Sequence, residues 1–255
     1  MDLLIRTNPR VQRRPGMHRI SLIITSALLA AVISAATAVF AVPEDGVALA
    51  IVYDTSGSMK ERVRDRTSKL SPKYEIANRA LQAISTRIQT FATNAAAAGP
   101  RKVYAGLFVF QDTGARQAVK FGPFNASAFQ SWAQTFSSPD GGTPLGNALT
   151  AAGQAVLNSD LTRKHVLIIT DGINTIGPDP AAAMRRLKQL AEQKQSSLSV
   201  HFLAFDVDAK VFDSVKKLGA TVVGASDETQ LKEQLEFILE KRILLEDEES
   251  PKNKK

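Results

Sequence analysis

The chain of 255 residues is 44% hydrophobic and 22% charged, a composition typical of globular proteins. It has no cysteine, which excludes disulfide scaffolds, thiolate metal sites and cysteine nucleophiles, and its three histidines are too few for most multi-histidine metal centres. The formal net charge is +7, but residues 1–41 carry +4 of it and aromatic residues make up only 6% of the chain, so the charge does not indicate nucleic-acid binding.

An uncharged apolar segment, Ile20–Val42, follows the basic N-terminus and predicts export from the cytoplasm. It ends in small-residue patterns at Ala36–Ala38 and Val39–Ala41, which are typical of signal-peptidase cleavage sites. Cleavage there would release a periplasmic or secreted protein. The segment is also long enough to remain as an anchor in the cytoplasmic membrane, and the preceding arginines would then keep the rest of the chain outside.

Short apolar runs alternate with helical patterns from residue 44 to residue 245, which predicts one α/β domain. We expect a doubly wound, mostly parallel six-stranded sheet with helices on both faces and one antiparallel edge strand. The charged tail, residues 246–255, is expected to be disordered. Strands are predicted at 46–53, 103–110, 118–121, 166–170, 198–205 and 220–224, and helices from Ser71 onward and at 126–136, 144–158, 180–195, 209–218 and 227–245.

Polar side chains follow two of the predicted buried strands at the points where they end. Asp54, Ser56 and Ser58 come directly after the first strand, and Asp171 follows the strand at 166–170. Thr143 lies on a glycine-rich loop that precedes a helix. The carboxyl ends of parallel strands are where doubly wound sheets bind ligands, so these five side-chain oxygens can converge there. Such a set suits a hard cation such as Mg²⁺.

Each segment also has a simpler interpretation when it is considered alone. The stretch from Asp54 to Ser58 is typical of a turn in which Asp and Ser bond to nearby backbone amides. Thr143 followed by Pro144 is typical of a helix N-cap with proline at the first helical position. These local interpretations do not explain why the segments with Asp54, Thr143 and Asp171 all lie next to elements that would bring them to the same end of the sheet.

Taken together, the motifs resemble the von Willebrand factor type A (VWA) domain with its metal-ion-dependent adhesion site. That family's pattern is Asp-x-Ser-x-Ser, then a distant Thr and a distant Asp, and the chain presents these in order. The resemblance covers residues 44–245 and implies a Rossmann-like fold. It also implies that Ser56, Ser58 and Thr143 contact a Mg²⁺ or Mn²⁺ ion, while Asp54 and Asp171 hold that ion directly or through water. In this family an acidic side chain of a partner protein commonly completes the coordination.

The function expected from this resemblance is metal-dependent binding of an unidentified protein, without enzymatic activity. One alternative is a scaffold or assembly module of the cell envelope that binds its neighbours without metal. A less favoured alternative is a Mg²⁺-dependent phosphohydrolase with Asp54 as nucleophile. Such enzymes usually have a second carboxylate two residues later, where this chain has Ser56, and no obvious general acid or base accompanies the motif.

A basic segment from Lys60 to Lys73 follows the first motif and carries six cationic residues against two acids. Because it leaves the sheet at the same edge as Asp54, it is expected to border the site and attract an acidic partner. The alternative is a solvated, mobile loop that contacts nothing.

Overall fold

The computed structural model describes residues 44–93 and 101–244, which belong to a compact unit that begins at Val42. The strands in chain order are β1 (Glu44–Tyr53), β2 (Arg62–Arg64), β3 (Leu70–Pro72), β4 (Val103–Gln111), β5 (Gly114–Pro123), β6 (Leu161–Thr170), β7 (Ser199–Phe205) and β8 (Thr221–Ala225). The α-helices are α1 (Lys73–Thr93), α2 (Ala126–Thr135), α3 (Leu145–Leu157), α4 (Pro180–Gln193), α5 (Asp213–Lys216) and α6 (Glu228–Ile238).

Six of these strands form the central sheet, in the order β5-β4-β1-β6-β7-β8. All neighbours are parallel except β4 and β5, which pair antiparallel at one edge. The predicted mostly parallel sheet with one antiparallel edge strand is therefore confirmed. β1 lies in the middle and is buried from Gly46 to Tyr53, as expected of a strand covered by helices on both faces.

Alternate residues of β1 belong to two different core layers. Leu49, Ile51 and Tyr53 pack in one layer with apolar residues of α1, α2 and α6. Ala48, Ala50 and Val52 belong to the other layer, which contains α3, α4 and α5. Each fully buried leucine or isoleucine contributes about 1.5–3 kcal/mol to the stability of the fold through the hydrophobic effect. The sheet therefore holds the ends of its strands, and the loops that follow them, in defined positions.

The register of β1 and β6 decides where the candidate site forms. The two strands are parallel, with Tyr53 opposite Ile169 at their carboxyl ends. The Asp54 N–H then donates to the Ile169 carbonyl at 3.0 Å. Residues that follow β1 and β6 in the sequence therefore leave the sheet side by side.

A two-stranded antiparallel hairpin, β2 and β3, was not predicted from the sequence. Ser71 and Pro72 belong to β3 rather than to the start of a helix, and the Ser71 hydroxyl donates to Asp65 Oδ2 at 2.8 Å instead of capping α1. The pattern was missed because only Val63 of β2 is buried, which leaves no apolar alternation to detect. The structure thus contradicts the alternative of a loop that contacts nothing.

Other element boundaries also differ from prediction. β5 extends over ten residues, although the sequence indicated a strand only at 118–121, because this edge strand contains no fully buried side chain. The last helix is α-helical to Ile238 and continues as a π-helical segment, Leu239–Leu244. None of the helices described in the structure combines the length and apolar composition that a bilayer crossing requires. The predicted export segment 20–42 and the predicted tail 246–255 lie outside the described residues.

Candidate metal-binding site

Asp54 lies directly after β1 and its carboxylate is completely buried. Its Oδ1 atom accepts the Ser56 N–H at 2.8 Å, and its Oδ2 atom accepts the Thr170 hydroxyl at 2.6 Å. The first contact is the turn-type hydrogen bond that the local sequence predicts. The second joins the ends of β1 and β6 and gives Thr170 a positioning role that was not recognised in the sequence.

The two serines connect Asp54 to Asp171. A 3₁₀ turn, Gly57–Lys60, follows Ser56 and brings Ser58 back over the end of β6. The Ser56 and Ser58 hydroxyl oxygens lie 3.0 Å apart, and the Ser58 hydroxyl donates to Asp171 Oδ1 at 2.8 Å. Four of the five predicted site residues therefore form one continuous series of contacts.

Thr143 completes the group from a different part of the chain. A Cβ atom placed on Gly172 would lie 3.7 Å from Thr143 Oγ1 and 3.9 Å from Ser58 Oγ, so both hydroxyl oxygens face the same backbone position. Thr143 is only 4% exposed, and its N–H donates to Thr175 Oγ1 at 2.8 Å. The predicted N-cap role is wrong, because α3 begins at Leu145 and no side chain caps it.

Close backbone packing holds the Thr143 loop in place. The Gly57 N–H donates to the Gly141 carbonyl at 3.0 Å, and the Asp140 N–H donates to the Thr55 carbonyl at 2.8 Å. At the start of α3, a Cβ atom on Gly146 would lie only 2.0 Å from the Pro178 carbonyl oxygen. Glycine is required there because the helix approaches the chain after β6 so closely.

Lys73, the first residue of α1, places an ammonium group beside the site. Its side chain is only 2% exposed, and its Nζ atom lies 3.1 Å from Asp171 Oδ2. The same atom lies 2.8 Å from Glu61 Oε2 and 3.0 Å from Asp206 Oδ2. The sequence placed Lys73 in the exposed basic segment, and the structure shows it as a buried ion-pair partner of three carboxylates.

The electrostatics of the site show an incompletely compensated negative charge. Burial, together with the nearby Asp171 carboxylate, raises the pKa of Asp54 to about 6. Burial alone would lower the pKa of Lys73, but its contacts with Glu61, Asp206 and Asp171 outweigh burial and raise that pKa. Lys73 compensates Asp171, whereas no cationic side chain among the described residues forms an ion pair with Asp54.

The donor set fits a hard divalent cation. It contains two carboxylates and three hydroxyls, and oxygen is the ligand that Mg²⁺ prefers, at about 2.0–2.1 Å in an octahedral shell. No cluster of three or more His, Asp or Glu side chains suited to a metal occurs in the described ranges, so a cation here would depend on the hydroxyls. His165 and His201 stack inside the sheet, with ring centroids 5.7 Å apart, and His165 lies opposite Leu49 rather than at the strand ends.

Comparisons with known proteins agree with this fold. The family model for the von Willebrand factor type A domain matches residues 48–237. Among solved structures, the PilB minor pilin from Streptococcus sanguinis has a TM-score of 0.59 and 14% identity, covering 82% of this chain and 64% of that one. The vWF domain of the type V pili tip protein Mfa5 from Porphyromonas gingivalis has a TM-score of 0.56 and 12% identity, covering 83% and 99%.

A third solved structure is proximal thread matrix protein 1 from the mussel byssus, with a zinc-occupied metal-ion-dependent adhesion site (MIDAS) motif. Its TM-score is 0.55 at 16% identity, and the match covers 77% of this chain and 48% of that one. The chain spans about three fifths of the length of the PilB structures that it matches. No curated protein matches the chain in sequence.

Proposed function

The chain belongs to the von Willebrand factor type A domain family, and we propose that it binds a partner protein through a divalent cation held at the end of its sheet. The observation that carries this proposal is the series of contacts from Asp54 through Ser56 and Ser58 to Asp171. With Thr143, these residues form the oxygen-rich set that the family pattern implies. The cation would act as a Lewis acid that accepts an oxygen ligand of the partner.

The chain's own residues define how the partner would be bound. Asp54 and Asp171 supply the negative charge that retains a cation, and the hydroxyls of Ser56, Ser58 and Thr143 supply neutral ligands. Because Mg²⁺ takes an octahedral shell of oxygen ligands and a site with only two carboxylates leaves a position for an outside ligand, a carboxylate of the partner can complete that shell. An acidic side chain of the partner is therefore the expected ligand.

We further propose that the protein is not an enzyme. No histidine in the described residues lies at the carboxyl end of the sheet beside Asp54, and Ser56 occupies the position where a phosphohydrolase would need its second carboxylate. A metal-independent scaffold is the competing function, because the side chains of Asp54, Ser56, Ser58 and Asp171 already form hydrogen bonds with one another and with their neighbours. Binding of a divalent cation would distinguish metal-dependent partner binding from the metal-independent scaffold.

Magnesium should bind the full-length protein, purified in a mild detergent that tolerates its apolar N-terminal segment. We expect isothermal titration calorimetry to give one binding site, and Mg²⁺ to raise the melting temperature, because a ligand that binds only the folded state stabilises it. Mn²⁺ should act similarly, and Ca²⁺ more weakly, because a site with two carboxylates suits the smaller ion. Absence of binding by all three ions would favour the scaffold.

Export is proposed from the apolar segment Ile20–Val42. The mature protein should begin between Val39 and Pro43 and be released from the membrane, because small residues at these positions are typical of cleavage sites. N-terminal sequencing of the protein from the native host checks this expectation. An intact chain in the membrane fraction that still carries Ile20–Val42 would establish the anchored alternative, with the domain outside the cytoplasm.

A further inference from the structure

A basic hairpin, defined here as residues 62–72 with strands β2 and β3, borders the candidate metal site. It follows the 3₁₀ turn that carries Ser58 and is followed by Lys73, which contacts Asp171. The Lys73 N–H donates to the Glu61 carbonyl at 2.8 Å, closing the base of the hairpin. The hairpin therefore lies at the same edge of the sheet as the site.

Hydrogen bonds make the basic hairpin a defined surface rather than a loose loop. Asp65 Oδ1 accepts the N–H groups of Thr67 and Lys69 at 2.8 and 3.0 Å within the turn. The Arg66 N–H donates to Glu228 Oε2 at 3.0 Å, which ties the turn to the start of α6. A surface that is already ordered loses little conformational entropy when a partner binds.

The outer face of the basic hairpin combines positive charge with apolar surface. Val63 points into the core, so its neighbours Arg62 and Arg64 point outward. They lie opposite Pro72 and Leu70 on β3. Leu70 is 60% exposed, more than any other large hydrophobic side chain in the described part of the chain.

The acidic residues that the structure describes leave this face unneutralised. Within the described ranges, no carboxylate lies within ion-pair distance of Arg62, Arg64 or Lys69. The two acids of the surrounding segment are already engaged, since Glu61 pairs with Lys73 and Asp65 binds the turn. The positive charge of the hairpin is therefore available to a partner.

A second exposed apolar side chain closely follows Asp171 in the chain. Ile173 follows Asp171 by two residues and is 55% exposed. Leu70 and Ile173 are thus the two most exposed large hydrophobic residues of the described chain, and they lie three residues before Lys73 and two residues after Asp171, respectively. Exposed apolar side chains beside unneutralised charge are typical of protein-binding surfaces.

We propose that the basic hairpin is a docking surface for an acidic segment of the partner protein that also carries an apolar side chain. Arg62 and Arg64 pair with carboxylates of that segment, and Leu70 packs against its apolar side chain. This inference rests on the proposed function, because the partner that binds the hairpin is the same one that coordinates the cation. The hairpin contributes selectivity, because a lone carboxylate satisfies the cation but not the arginines and the leucine.

The observations favour a protein segment over a membrane surface. Arg62 and Arg64 are spaced two residues apart on one strand, which matches the spacing of alternate carboxylates on an extended peptide. The guanidinium group also binds a carboxylate through two parallel hydrogen bonds, which gives geometric specificity. Binding of an anionic membrane needs only accumulated positive charge, so membrane binding is a distinct outcome of the test.

The test measures binding of a short fluorescent peptide, Glu-Ser-Glu-Ser-Leu, to the full-length protein by fluorescence anisotropy. In an extended conformation, alternate positions place its two glutamates and its leucine on one face. Measurements are made at low ionic strength, where the screening length is about 30 Å at 0.01 M, with and without Mg²⁺. The double variant Arg62→Glu/Arg64→Glu should bind the peptide at least about tenfold more weakly, which corresponds to about 1.4 kcal/mol. Leu70→Ser should weaken binding by about fivefold, and a peptide with serine in place of leucine should not distinguish Leu70→Ser from the wild type.

Matched controls lie at the opposite edge of the sheet. Lys216→Glu/Lys217→Glu makes the same change in charge on exposed residues shortly before β8, and Phe237→Ser removes an exposed apolar side chain near the end of α6. Both should bind the peptide as the wild type does. All variants should retain the circular dichroism spectrum of the folded wild type.

The outcomes separate this inference from the proposed function. Hairpin variants should bind Mg²⁺ as the wild type does, and the weakening caused by Arg62→Glu/Arg64→Glu should persist without Mg²⁺. If no protein binds Mg²⁺ but this weakening remains, the metal site fails and the docking surface stands. Equal peptide affinity of the wild type and the double variant overturns the docking surface. Arginine-dependent binding of phosphatidylserine vesicles without peptide binding also overturns it.

Discussion

Replacement of Asp54 by asparagine should reduce Mg²⁺ affinity by at least about 100-fold, the upper end of the loss seen when only an outer-shell contact to a metal is removed. Asparagine keeps the shape of the side chain but removes one of the two negative charges that retain the cation. In calorimetry, Asp54→Asn should give no measurable Mg²⁺ binding, and Mg²⁺ should no longer raise its melting temperature.

The same variant should fold as well as the wild type without metal. The asparagine oxygen can accept the Ser56 N–H, and its amide group can donate to Thr170, whose hydroxyl has an alternative acceptor in the Gly172 carbonyl at 3.2 Å. The ionised Asp54 is disfavoured by burial and by Asp171, so its neutral replacement removes an unfavourable charge. The metal-free melting temperature of Asp54→Asn should therefore equal or exceed that of the wild type.

The control for Asp54→Asn is the same change at a carboxylate outside the candidate site. Asp208→Asn removes one exposed carboxylate after β7, at the same edge of the sheet, and should leave Mg²⁺ binding unchanged. Wild-type affinity in Asp54→Asn would show that the cation binds elsewhere. A large loss of metal-free stability would instead show that Asp54 is a structural residue.

Replacement of Lys73 by methionine should lower the free energy of unfolding by about 3–5 kcal/mol, the cost of removing one partner from a buried ion pair. Methionine fills a similar volume but leaves the fully buried Asp171 side chain without its ammonium partner. Asp206 and Glu61 lose the same partner, but they are partly exposed to water and contribute less. In a domain of this size, each kcal/mol corresponds to about 2–4 °C in melting temperature.

Chemical denaturation at neutral pH measures this effect. Lys60→Met is the matched control, because Lys60 is exposed and its only described ion pair, with Asp140, is 3.9 Å long. An exposed pair of this kind contributes about 0–1 kcal/mol, so the control should unfold nearly as the wild type does. If Lys73→Met unfolds like Lys60→Met, Lys73 does not compensate the buried carboxylate. Mg²⁺ should restore part of the stability of Lys73→Met, since a cation at the site also compensates Asp171.

The sequence alone was sufficient to predict the sheet and the residues gathered at its edge. The strands that precede Asp54 and Asp171 are continuous apolar runs, and such runs predict buried parallel strands whose carboxyl ends meet. The glycine-rich loop that carries Thr143 could also be recognised from the sequence, because its residues are consecutive and directly precede a predicted helix. The family match over residues 48–237 confirms the resemblance to the VWA domain that these motifs indicated.

Only the tertiary structure decided the environment of those residues. Lys73 meets carboxylates from three separate segments, and no local pattern in the sequence distinguishes a buried lysine from the exposed cations beside it. Thr170 acquires its partner Asp54 only through the register of β1 and β6. The basic hairpin is held by hydrogen bonds to Asp65 and to the distant Glu228, whereas its charged sequence alone left a solvated loop open as an alternative. Periodicity reports which side chains face the core, whereas pairing between distant polar groups depends on how the completed fold brings them together.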